Sequence, residues 1–133
     1  MKDIESAKQH TMTSIFVYGT LLKGQRNHDA YLKNCYFAGG GTIKGYDMYD
    51  LGTYPGIKQG NGKVTGEVYY VTDEELEKVD CLEDEGNEYI KTPAKVYMEN
   101  GEELEAMVYL YNWSIEGCRR IEGRYDAEKI SKL

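Results

Sequence analysis

The segment Ser14-Ile15-Phe16-Val17-Tyr18 narrows the fold of this chain more than any other. After Ser14 it is apolar without alternation, and Gly19 stops it at once. So short an unbroken apolar run, closed by a turn residue, predicts a strand buried on both faces. Such a strand is central to its sheet, and the loop that leaves it is expected to border the largest pocket. Fifteen glycines and thirteen tyrosines against two prolines point the same way, to a β-rich chain with tight turns.

The remaining pattern places further elements around that strand. Residues 1–13 are polar and aperiodic and are expected to be a disordered extension, with residues 14–133 as a single domain. Asn27 is placed to cap a helix running through His28, Tyr31 and Leu32. Gly39-Gly40-Gly41 reads as a flexible junction, followed by a strand from Thr42 to Leu51 and a turn at Gly52-Thr53-Tyr54-Pro55-Gly56 with Pro-Gly at its centre. Asn61-Gly62 signals a two-residue hairpin before a strand from Val64 to Val71. Thr72-Asp73-Glu74-Glu75 is a capping box that opens a helix reaching about Leu82. Tyr89–Met98 and Leu104–Tyr111 read as two strands joined at Asn100-Gly101, and the charged tail from Ser114 has weak helical character. Several strands with two interspersed helices predict an α+β fold, a small mixed β-barrel or strongly curved sheet.

Composition excludes several classes of function. A net charge of −7 and a pI near 4.9 disfavour nucleic acid and anionic membrane surfaces as partners. No apolar run approaches the length that spans a bilayer, and the N-terminus lacks the pattern of a signal peptide. Cys35, Cys81 and Cys118 are odd in number and far apart, which points to a reducing, cytoplasmic setting rather than a disulfide framework. His10 and His28 are the only histidines, so no metal site of ordinary ligand type is expected. A Ser-His-Asp arrangement would depend on His28, because His10 falls in the N-terminal extension.

Chemistry concentrates at two places. On the capped helix, Leu76, Val79, Asp80 and Glu83 share one face, and the two apolar residues mark it as inward. Glu83 then projects from the helix end towards the core. There, lost solvation raises its pKa towards the range in which a carboxyl exchanges protons near neutral pH. Residues 83, 84, 85 and 88 are all acidic, a run that by itself reads as solvated surface, and Asp80 competes on the same face. The second place is Tyr18-Gly19-Thr20-Leu21, where a glycine after a buried strand allows a ligand close to the backbone and the loop amides can form an anion nest. The loop is not a phosphate loop, since GxxxxGK[ST] is absent. Tyr109, Tyr111 and Trp113 alternate on the last strand and either line a pocket or pack as core.

Three blocks in order resemble the gamma-glutamylcyclotransferase-like superfamily, most closely its gamma-glutamylamine cyclotransferase branch and bacterial relatives. The first, Phe16-Val17-Tyr18-Gly19-Thr20-Leu21-Leu22-Lys23-Gly24 with Asn27-His28, is similar to FVYGTLxxG…NH. The second, Tyr54-Pro55-Gly56-Ile57 leading to Val64-Thr65-Gly66-Glu67-Val68-Tyr69, is similar to YPxxx…VxGEVY. The third, Val79-Asp80-Cys81-Leu82-Glu83 with Tyr89-Ile90-Lys91 and Ala94-Lys95-Val96, resembles LDxxE…YxR..V.V, with Val79 for the usual Leu and Lys91 for the usual Arg.

The resemblance implies a compact barrel-like fold with a pocket at one end, and Glu83 as the catalytic acid/base. It implies that the backbone of Tyr18, Gly19, Thr20 and Leu21 holds the glutamyl head group; Tyr54 and Tyr89, which stand in the matched blocks, and Tyr111 of the aromatic stripe complete the expected substrate-binding set. It also implies a cofactor-free cyclisation that releases 5-oxoproline from a small γ-glutamyl amine or amino-acid compound. The alternative is a non-catalytic module that binds such a metabolite, which would need the pocket but not Glu83.

Overall fold

The computed structural model describes residues 12–128. The founding strand, β1 (Met12–Val17), has Ile15 and Phe16 wholly buried and Val17 nearly so, as a strand covered on both faces must. It begins at Met12, so Met12 and Thr13 belong to the folded part, where they pair with Thr72 and Val71; the rest of the expected extension, residues 1–11, lies outside the described residues.

A short helix, α1 (His28–Tyr31), follows. Asn27 stands at its N-cap position but makes no capping bond; its side-chain amide donates instead to Thr20 Oγ1 at 3.0 Å. The long strands β2 (Tyr36–Asp50) and β3 (Pro55–Thr72) form one antiparallel ladder from Tyr36↔Tyr70 to Asp50↔Pro55. The helix α2 (Asp73–Leu82) and the strands β4 (Tyr89–Met98), β5 (Glu103–Tyr111) and β6 (Arg119–Ile121) complete the described elements. Strand order is β3-β1-β5-β4-β2-β6, and the β2–β3 ladder joins the ends of the first five strands into a small barrel. All pairings are antiparallel except that of β1 with β5, at Ile15↔Met107. The fold is thus α+β with a closed, strongly curved sheet.

Three turn expectations are corrected by this closure. Gly39-Gly40-Gly41 is not a junction: it lies inside β2, paired with Val68, Glu67 and Gly66. Gly41 and Gly66 face each other where strands crowd together. A Cβ on Gly41 would meet Val96 Cγ1 at 2.6 Å, and one on Gly66 would press on the Val17 carbonyl. Asn61-Gly62 does not turn the chain. It lies within β3 at a register shift, between the pairs Lys44↔Lys63 and Tyr46↔Gln59, where Gly45 stands alone against residues 60–62. The β2–β3 connection falls at residues 51–54, closed by the Leu51 N–H donating to the Tyr54 carbonyl at 3.0 Å, and Pro55 and Gly56 already belong to β3. Nor is the tail purely helical, since β6 adds to the outer half of β2 at Met48–Asp50.

The capping box forms as the spacing predicts. Thr72 Oγ1 accepts from the Glu75 N–H at 3.2 Å, and the Glu75 carboxylate accepts from the Thr72 N–H at 2.8 Å. Val79 is fully buried and Leu76 half-buried, so the predicted inward face of α2 is the one that packs. Thr72→Ala is expected to lower stability by about 1 kcal/mol. Thermal denaturation reads this directly, and an unchanged melting temperature would mean that packing alone holds α2.

Candidate active site

A cavity of about 200 Å³ opens at the end of the barrel where β1 gives way to its loop and α2 ends. Tyr18, Gly19 and Thr20 form one wall, Glu83 with Leu82 another, and Tyr54, Pro55, Glu88 and Tyr89 a third. Arg26 and Asn27 complete it. The loop is expected from the sequence to border the largest concavity, and it does not: a more open groove of about 550 Å³ lies between the helices, lined by residues such as Tyr31, Lys78 and Cys81.

The loop is held from several sides. The Tyr18 ring is buried and its hydroxyl donates to the Tyr109 carbonyl at 2.7 Å. The Asn27 N–H donates to the Thr20 carbonyl at 3.0 Å. His28, itself buried, has Nδ1 3.0 Å from the Leu21 carbonyl, which can only accept, so the ring is engaged as a brace. Glu67 anchors the far end of the loop. Burial alone would raise its pKa, but hydrogen bonds from the Lys23 N–H (2.9 Å), Arg124 (2.5 Å) and the Tyr69 hydroxyl (3.0 Å) bring it below the usual value.

Glu83 continues the helix as its C-cap residue, with φ −84° and its N–H donating to the Val79 carbonyl at 3.0 Å. The helical angle therefore extends to it, and its carboxyl enters the cavity wall. Burial, and then the charge of neighbouring Glu88, push its pKa up to about 7. The same proximity appears from the other side: burial and then the Glu83 charge hold the Tyr18 phenol well above its usual range. Glu88 accepts a short hydrogen bond, 2.5 Å, from the Tyr54 hydroxyl, and the Tyr89 hydroxyl donates to the Pro55 carbonyl at 2.7 Å.

The other acidic residues are committed elsewhere. Asp80 accepts from the Tyr109 hydroxyl at 2.6 Å and pairs with Lys91 at 2.8 Å, so Lys91 is engaged within the protein. Asp84, at φ +51°, accepts from the Asn87 side chain, and Glu85 from the Lys91 N–H; both are exposed and outside the cavity wall. Burial pushes the Cys35 thiol up to about 12, which leaves it a protonated, poor nucleophile at neutral pH. Among the described residues, no three His, Cys, Asp or Glu side chains converge as a metal site requires.

Of the residues singled out in the sequence, the cavity gathers Tyr18, Gly19, Thr20, Tyr54, Glu83 and Tyr89. It does not gather Leu21, whose side chain turns into the core, nor Tyr111, which stacks edge-on between Tyr89 and Trp113. Arg26, Pro55 and Glu88 line it without having been singled out as site residues. Glu88 had only its acidic run to mark it, and Arg26 only its nearness to the glycine loop.

Fold and cavity together define a small α+β barrel whose pocket wall carries a protonatable carboxyl. A family model for gamma-glutamyl cyclotransferase, AIG2-like proteins matches residues 15–127, and the chain belongs to that family, a cyclotransferase-type enzyme. It is 37% identical over 112 residues to a gamma-glutamylcyclotransferase family protein of Escherichia coli, covering 81% of this chain and 90% of that one. It is 33% identical over 108 residues to the gamma-L-glutamyl-butirosin B gamma-glutamyl cyclotransferase of Niallia circulans, covering 76% and 68%. Among solved structures, an AIG2-like protein from Mus musculus superposes with a TM-score of 0.81 at 30% identity, covering 93% of this chain and 95% of that one.

Proposed function

We propose that the protein cyclises a small γ-glutamyl compound, releasing 5-oxoproline and the free amine, with Glu83 as the sole proton shuttle. The observation that carries this reading is a carboxyl of pKa about 7 in the wall of a cavity that also includes the Tyr18–Thr20 backbone. The α-amine of the glutamyl group is tethered to the carbonyl it attacks, so the pocket has chiefly to hold the productive rotamer. Glu83 as carboxylate takes a proton from the attacking ammonium, and as acid returns it to the departing amine. The lactam nitrogen keeps one of the three ammonium protons; of the two it gives up to Glu83 in turn, one goes to the departing nitrogen as its C–N bond breaks and the other ends on the freed amine as its ammonium, so no cofactor enters. The amides of the glycine loop are the candidate donors to the transient oxyanion.

The test is release of 5-oxoproline from a panel of γ-glutamyl amines and γ-glutamyl amino acids. Ligand binding without release would leave a binding module. Because the carboxylate is the form that starts the reaction, kcat/KM is expected to fall as pH drops through about 7. Glu88→Gln removes the neighbouring negative charge, lowers the Glu83 pKa, and is expected to move that acid limb down by about one pH unit. A limb that stays in place would show that burial alone sets the Glu83 pKa.

A further inference from the structure

We propose that Arg26 makes the enzyme select γ-glutamyl compounds whose leaving group carries a free carboxylate, that is, γ-glutamyl amino acids over γ-glutamyl amines; this rests on the cyclotransferase reading above. The cavity wall is electrically divided. Glu83 and Glu88 supply its negative charges, with Glu88 fixed by the Tyr54 hydroxyl, while Arg26 supplies the positive charge. The guanidinium has no hydrogen-bond or ion-pair partner among the described residues. This contrasts with Arg120 and Arg124, each of which is paired to a carboxylate.

Position decides which part of a substrate Arg26 would meet. Tyr18 and Tyr89 are buried and Glu83 half-buried, whereas Arg26 is exposed, so the cavity runs from an enclosed end to a mouth that Arg26 borders. The ring-forming glutamyl part must lie where Glu83 reaches its amine and γ-carbonyl. The departing group then extends to the mouth. A guanidinium offers a planar fork of donors that matches a carboxylate in bidentate fashion, and it gains nothing from a neutral amine and repels a cationic one.

Arg26 is also mounted firmly. The residues on either side are tied down by the Asn27 N–H to the Thr20 carbonyl, the Asn27 side chain to Thr20 Oγ1, and the His28 N–H to the Gln25 carbonyl at 3.2 Å. The backbone that carries the guanidinium is thus fixed relative to the Tyr18–Thr20 wall, which lowers the ordering cost of using it.

The experiment compares γ-glutamyl-alanine with γ-glutamyl-alaninamide, which differ only in the leaving group's carboxylate, in wild type and Arg26→Gln. Wild type is expected to favour the acid by about 10-fold or more in kcat/KM, the scale of a charge-assisted hydrogen bond. In Arg26→Gln that ratio is expected to collapse towards one. Equal kcat/KM for the two compounds in wild type overturns the proposal. So does an Arg26→Gln variant that loses both equally, since the guanidinium would then read the glutamyl carboxylate they share. If wild type turns over neither compound, the full panel decides the cyclotransferase reading, and calorimetric Kd values for this pair decide the role of Arg26. A preference for the acid that Arg26→Gln abolishes supports the proposal, and equal affinities overturn it.

Discussion

Glu83→Gln is expected to lower kcat by about 10²-fold or more while leaving KM close to wild type, the usual scale for removing a positioned proton shuttle. Glutamine keeps the shape of the side chain at the end of α2, so a loss cannot come from packing. The acid limb of the pH profile should vanish with it, because the group titrating at about 7 is gone. Stability should move the opposite way. The folded-state pKa lies above that of an unfolded glutamate, so between the two values the folded protein holds the extra proton. The associated stabilisation is complete below the unfolded pKa and is lost as pH rises through about 7. Above neutrality the charged carboxylate is a burden on the order of 2 kcal/mol, which Gln removes. The variant is therefore expected to melt higher than wild type at pH 8 and to lose that advantage near pH 4. A wild-type kcat in Glu83→Gln would take Glu83 out of the chemistry, and Asp80, already engaged by Tyr109 and Lys91, would be a poor replacement.

Gly19→Val is expected to reduce kcat/KM by about 10²-fold with the fold retained, the scale that follows from displacing a positioning wall by an ångström. Gly19 needs its missing side chain for space, since a Cβ there would lie 2.7 Å from Pro55 Cγ and 3.0 Å from Pro55 Cδ. The proline ring cannot yield as a flexible side chain would. It belongs to β3, lines the cavity, and its carbonyl receives the Tyr89 hydroxyl. The collision therefore has to be relieved by shifting the loop or the opposite wall, and either change deforms the place where substrate sits. The clash is at the barrel's end rather than among Phe16, Val68 and Val108, so circular dichroism should show native strand content. Gly19→Ala should show a smaller loss of the same kind. Normal KM and kcat in Gly19→Val would reduce Gly19 to a turn residue.

What the sequence by itself determined about this protein is what depends on a few neighbouring residues. The both-faces-buried strand at Ile15–Val17, the Thr72–Glu75 box, the end of α2 near Leu82 and the turn at Asn100-Gly101 were all legible, because capping and apolar periodicity act over one or two turns of chain. The inward angle of Glu83 was legible for the same reason: it is a fixed rotation from Leu76 and Val79, and the last helical hydrogen bond preserves it.

Tertiary structure alone decided the rest. Asn61-Gly62 carries a hairpin signal, but pairing along the whole length of β2 and β3 outweighs a two-residue preference and absorbs it as a register shift. The glycines at 39–41 read as slack, yet they lie within a paired strand, and at Gly41 the closing barrel brings the neighbouring strand too near for a side chain. Leu21 belongs to the glycine-loop motif and Tyr111 to an alternating aromatic stripe, yet neither lines the cavity. Arg26 and Pro55 meet Glu83 across it from segments far apart in the chain, and Glu88 from the turn that follows α2. The composition of a cavity depends on which distant segments the closed sheet brings together, and no local spacing rule encodes that.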